Sequence, residues 1–308
     1  MYPRPRPQLS VLPKRPPGRR LKMTIAIGLL ASDGVVLAAD TQEIMGSLKS
    51  DESKLIIANR DLKDQKAGAL AITGAGDSGY LDSINMEICT SFVAKKPWTG
   101  AKWAVKLKKH VKDFHDDYVV PYGAFPENDR PQLRLVIGGN FSDPNFGDYR
   151  AVWSTEKSTV SMAKNYCAVG LGSAQAYVML RRFWTVMETI KAASLAAYVL
   201  FHVKHSVDGC GNETQIVILK NGYAEYVSPS NIELMENYFE ERAALENQLL
   251  HFSLGMELPD GDINYTLARF SSILSKNRKD IIDCQNFKMS SYRRGKRPVD
   301  QPEMRRKT

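Results

Sequence analysis

Four β-rich runs follow one another between residues 24 and 73, and their spacing leaves room for little but an antiparallel sheet. TIAIGLLA (24–31) and VVLAAD (35–40) flank Ser32-Asp33-Gly34, a turn signal of the Asp-Gly hairpin type. KLIIA (54–58) and ALAIT (69–73) follow after short connections. The period then changes. Residues 77–94 carry Tyr80, Ile84, Ile88 and Phe92 at helical spacing, with Asp77 as N-cap, and 99–118 carry a second helix from Trp103 to Tyr118. Strands return at 133–138, 149–153 and 165–169. Helices are expected at 173–187, with Ser173 as N-cap, and at 192–205. A last hairpin, 214–219 and 223–227, turns at Asn221-Gly222. Residues 233–250 and 265–283 read as further helices. Strand runs alternating with helix pairs predict an α+β fold, two antiparallel sheets between helix layers.

Length and charge narrow the field. A chain of 308 residues with 43% hydrophobic side chains can bury a core without disulfide or metal staples. The net charge of +8 is carried by the ends. Residues 1–23 hold seven Lys/Arg and six prolines with no acid, and 288–308 hold eight Lys/Arg against Asp300 and Glu303, leaving 24–287 at about −5. The leader and the tail are expected to be disordered. A mildly acidic body argues against a nucleic-acid partner. No apolar stretch reaches the roughly 20 residues of a spanning helix, which argues against a membrane protein. Cys89, Cys167, Cys210 and Cys284 are scattered, with no C-x-x-C pair and no His cluster beside them. That speaks against a zinc site and for a reducing cytoplasm. Arg19-Arg20 before an apolar run looks like a twin-arginine export signal, but Asp33 interrupts the run and the pattern that follows is that of strands.

The opening TIAIGLLASDGVVLAADTQEIMG resembles the start of a mature proteasome β subunit, of the bacterial homologue type. Thr24, Gly34, Ala38-Ala39-Asp40 and Gly46 stand at that family's spacing without a gap. Lys54 before an apolar strand, Gly74 in AITGAGD and Val169–Ser173 match its later elements. The resemblance implies the four-layer αββα sandwich of N-terminal-nucleophile hydrolases over 24–240. A C-terminal helical extension (241–287) and the basic tail would follow, and the leader 1–23 would be removed or never translated.

The resemblance also implies roles. Thr24 Oγ would attack an amide carbonyl, with the residue's own α-amine as base, since such an amine titrates near neutrality. Lys54 would be a fixed cation beside the hydroxyl, Asp40 its partner, and the Gly74 N–H an oxyanion donor. Asp208 would orient the amine. No cofactor and no metal are implied. The expected function is a threonine peptidase acting on polypeptides in a ring or spiral of like subunits, with a regulatory ATPase left open. The alternatives are a non-catalytic subunit of the same fold and an amidase for small amides. Ile72 would line the specificity wall. Three departures stand out: Met23 precedes the Thr, Leu171 replaces a Ser, and 206–211 (SVDGCG) has Asp208 one position from the family Asp. Cys210, with no His arranged beside it, reads as a buried inert thiol. Met23-Thr24 is a junction that methionine aminopeptidase processes, so translation is expected to begin at Met23.

Overall fold

The structure, a computed structural model, describes residues 24–45, 48–60, 68–94, 99–126, 130–143, 147–254 and 263–293. The expected disordered leader (1–23) therefore lies outside the described residues, as do residues 294–308 of the expected disordered tail (288–308); residues 288–293 of that tail are instead helical. In chain order the strands are β1 (Ile25–Leu30), β2 (Val35–Asp40), β3 (Gln42–Met45), β4 (Leu48–Asp51), β5 (Ile56–Arg60) and β6 (Gly68–Gly76). Helices α1 (Ser78–Val93) and α2 (Gly100–Tyr118) come next, then β7 (Leu133–Asp143), β8 (Gly147–Glu156), β9 (Thr159–Met162) and β10 (Tyr166–Gly170). The chain continues with α3 (Ser173–Phe183), α4 (Thr189–Ser206), β11 (Thr214–Lys220), β12 (Tyr223–Tyr226), α5 (Pro229–Ser253) and α6 (Ile263–Arg293).

Two five-stranded antiparallel sheets form, ordered β10-β1-β2-β11-β12 and β5-β6-β7-β8-β9, beside a small β3-β4 hairpin. Three apolar layers hold them. Alternation along each strand assigns its side chains. On β1, Ile25, Ile27 and Leu29 face α3 and α4, meeting Leu180, Ala196, Leu200 and Val203. On β2, Val35, Leu37 and Ala39 face the other sheet, meeting Ala69, Ala71, Val136 and Val152. Leu70 and Ile72 on β6 turn outward to Ile84, Ile88, Phe92, Trp103 and Leu107 of α1 and α2. Strands apolar on both faces are what a central double layer requires. The expected four-layer αββα sandwich is the observed architecture.

Local details differ from expectation. β3, β4 and β9 were not foreseen: QEIM and LKSD carry no apolar alternation, and the alternation in TVSM spans only four residues. Asp77 occupies the N-cap position of α1 without a side-chain capping bond; its Oδ2 accepts from Gln132 N at 3.3 Å. The N-cap of α3 is Gly172, one residue before Ser173. Helix α3 stops at Phe183 and α4 starts at Thr189. Helix α6 runs to Arg293, past the expected end at 283, because no Pro or Gly interrupts 263–294. The Asn221-Gly222 hairpin turn appears as read, with φ of 52° and 76°, both in the left-handed region that this tight turn needs.

Candidate active site

Thr24 is the residue from which β1 starts, 3% exposed and flanked on one side by β10 and on the other by β2. On the β10 side, Ile25 pairs with Gly170, which has a φ of 98°; a Cβ there would lie 2.1 Å from the Thr24 carbonyl oxygen. Only glycine lets the two strands close at this point. On the β2 side, the pairing of Ala26 with Ala39 brings Asp40 beside the start of β1.

Asp40 is fully buried, and each carboxylate oxygen is occupied. Oδ1 accepts from the Thr24 hydroxyl, from Ile25 N at 3.2 Å and from Lys54 Nζ at 2.9 Å. Oδ2 accepts from Gly211 N at 3.0 Å. A buried carboxylate is tolerable only with this kind of partnering. Lys54, just before β5, donates from Nζ to the Thr24 hydroxyl oxygen, to Asp40 and to the carbonyl of Gln42. An ammonium has three donors, and all three are used, so the cation is held in place. Its backbone is fixed as well, because Lys54 N and Ser53 Oγ both donate to Gln215 Oε1 at 3.2 Å.

Gly74 sits across the same cleft, on β6. It pairs with Leu135, whose N–H turns away to Thr155 Oγ1 at 2.8 Å on β8. Gly74 therefore points its own N–H the other way, to the β5 side, where strand pairing ends at Ile56. A Cβ at Gly74 would stand 2.5 Å from the Arg134 carbonyl oxygen, so no side chain fits. Thr24, Lys54 and Gly74 line one cleft, closed by Gln42 and Glu43 of β3 and by Leu81 and Asn85 of α1.

Two expected site residues, Asp208 and Ile72, are placed elsewhere. Asp208 is exposed, outside the cleft, with no hydrogen bond among the described residues. The reason is the turn closed by Cys210 N to Val207 O at 3.1 Å, which buries Cys210 and leaves Asp208 at its outer tip. Ile72 is buried under α1 and α2 and does not reach the cleft; Ile56 and Leu81 are apolar groups that do. Leu171 is 52% exposed and puts no polar group near Thr24. Burial, with the nearby Asp40 charge, pushes the Cys210 thiol up to about 12, in keeping with an inert thiol. The Gln42 carbonyl, Gln215 and the Gly211 N–H were not foreseen; two of these contacts are backbone atoms, which leave no mark in residue identity.

No protein-family profile matches the chain. In sequence it is similar to proteasome subunit beta 2 of Pyrococcus furiosus, 28% identical over 214 residues, covering 67% of this chain and 92% of that protein. In structure it superposes on Anbu (ancestral beta-subunit) from Yersinia bercovieri with a TM-score of 0.55 and 14% identity, covering 72% of this chain and 95% of that one. An Anbu variant from Hyphomicrobium sp. strain MC1 gives 0.56 and 15% over the same shares. The fold is proteasome-like. These likenesses agree with the two-sheet sandwich described above. No helix among the described residues is long and apolar enough to cross a membrane.

Proposed function

We propose that the protein is an N-terminal threonine hydrolase that cleaves peptide bonds, with Thr24 as nucleophile. One observation carries this reading: the buried Thr24 hydroxyl is hydrogen-bonded to both Lys54 and Asp40 at the edge of an open cleft. A threonine serving only as a strand former needs neither a cation nor a carboxylate on its hydroxyl.

The reaction requires that the Met23–Thr24 bond be cut, so that the Thr24 nitrogen becomes an amine able to take a proton. Thr24 Oγ then adds to the scissile carbonyl carbon while its proton passes to that amine. Lys54 stabilises negative charge as it develops on Oγ, and Asp40 keeps Lys54 oriented. The Gly74 N–H meets the carbonyl oxygen as it becomes an oxyanion. The amine returns the proton to the leaving nitrogen, the C–N bond breaks, and an ester to Thr24 remains. Water, deprotonated by the same amine, hydrolyses that ester and restores the hydroxyl. No metal or cofactor enters.

The relative similar in sequence is named a proteasome subunit, and we infer that this chain too works in an assembly of like subunits. The function is tested by incubating the processed protein and its Thr24→Ala variant with a peptide library and identifying the products by mass spectrometry. Peptide fragments from the parent and none from the variant are expected. A processed protein with Thr24 at its N-terminus that cuts no peptide would overturn this reading and leave the non-catalytic subunit and the amidase for small amides.

A further inference from the structure

Among the described residues, the loop between α4 and β11 supplies the one donor to Asp40 Oδ2, the Gly211 N–H at 3.0 Å. That loop has few apolar anchors beyond Cys210 and contains two residues of positive φ, Gly209 at 93° and Asn212 at 59°. Its conformation is therefore set by tethers. One tether is Thr41, next to Asp40: Thr41 N donates to Glu213 O and Glu213 N donates to Thr41 Oγ1, both at 3.0 Å. The other comes from outside the two sheets. Lys204 Nζ, near the end of α4, donates to the Asn212 carbonyl at 3.0 Å and to Glu236 Oε1 at 2.7 Å. The same Glu236 oxygen accepts from Thr214 Oγ1 at 2.6 Å, at the first residue of β11.

Glu236 thus binds both ends of the loop. Lys204 is only 8% exposed and Glu236 is 23% exposed, so water competes weakly for either. Without the carboxylate, a mostly buried ammonium would lose its counter-charge and the Asn212 carbonyl its fixed donor. Asn212 is the residue after Gly211, so movement of its carbonyl tilts the peptide whose neighbour meets Asp40.

We propose that Glu236, on α5, is a positioning residue for the reaction at Thr24: through Lys204 and Thr214 it holds the 207–213 loop so that the Gly211 N–H stays on Asp40. The proposal rests on the reading of Thr24 as nucleophile. It gives α5 a task beyond packing, since an element outside the two sheets would set the state of the catalytic carboxylate.

The test compares the full-length processed protein with its Glu236→Ala, Glu236→Gln and Lys204→Met variants, by hydrogen exchange over 207–213 and by peptide-hydrolysis kinetics. In Glu236→Ala, exchange over 207–213 should accelerate at least tenfold and kcat should fall about tenfold with KM unchanged, the scale of one charge-assisted hydrogen bond. Lys204→Met, which keeps an unbranched apolar stem, should do the same and serves if Glu236→Ala fails to fold. Glu236→Gln should recover most of both losses, because its amide oxygen still accepts from Lys204 and Thr214. Unchanged exchange in Glu236→Ala overturns the proposal, and so does faster exchange with unchanged kcat. If the parent protein hydrolyses no peptide, the reading of Thr24 fails, and exchange alone then decides whether Glu236 tethers the loop.

Discussion

At the scale of single residues, a buried charge pair with a hydroxyl between its members decides the chemistry. Lys54→Ala leaves Asp40, fully buried, without its cation. Removing one partner of such a pair costs about 3–5 kcal/mol, and a hydroxyl without its stabilising cation loses about 100-fold or more in rate. The double variant Lys54→Met with Asp40→Asn should be more stable than Lys54→Ala alone while remaining inactive, and urea denaturation beside peptide turnover checks both. Thr24→Ala should keep the fold and retain less than about a thousandth of the activity. Cys210, with its thiol pushed up to about 12, stays neutral at any ordinary working pH, so native protein at pH 8 should not be alkylated there by iodoacetamide. Thr24 and Asp40 were picked from the sequence by an opening motif whose residue types and spacing are those of a known family, and Lys54 and Gly74 by later elements of the same resemblance. The Gly211 N–H could not, since any residue but proline offers one. Asp208 went astray because a turn of a single period decides which side of a loop faces the site.

At the scale of elements, glycine at the end of β10 decides whether β1 can start where it does. Gly170→Ala would put a Cβ against the Thr24 carbonyl and force a left-handed backbone on alanine. A loss of about 2 kcal/mol or more is expected by urea denaturation, with lower activity in whatever folds. Most strands and helices were legible because their apolar residues recur at two or at three to four positions. Trp103, Leu107, Val111 and Phe114 on α2 are the clearest case, all buried. The β3-β4 hairpin was not legible, yet it carries Gln42, whose carbonyl holds Lys54. Short polar strands stabilised by their neighbours leave no periodic trace. Sheet order was also hidden, because β1 pairs with β10 across more than a hundred residues of intervening chain. Pairing at that distance is a property of the packed layers, and local pattern does not encode it.

For the whole molecule, one ion pair ties three elements together and gives stability a pH dependence. Asp33, in the β1-β2 turn, accepts from Lys220 Nζ at 2.6 Å at the end of β11 and from Thr189 N at 2.7 Å at the start of α4. Burial works to raise its carboxyl, but Lys220 and the Thr189 N–H outweigh it, and the net position is below the ordinary 3.8. A lowered carboxyl favours the folded state above the unfolded value and loses that contribution as pH falls through the folded one. Asp33→Asn should therefore lower stability at pH 7 by less than about 1 kcal/mol, the pair being partly exposed, and the gap to the parent should close below about pH 3.8. Thermal melts of both proteins across pH 3–7 check it. The central claim, that Thr24 carries both the nucleophile and its base, is tested most directly with a peptide epoxyketone. Its ketone carbon takes the hydroxyl oxygen and its epoxide is opened by the amine, so a six-membered ring closes only on a 1,2-amino alcohol. One such ring adduct is expected in the processed protein, on the peptide that begins at Thr24. A protein with Thr24 free at its N-terminus that forms no adduct there would contradict it.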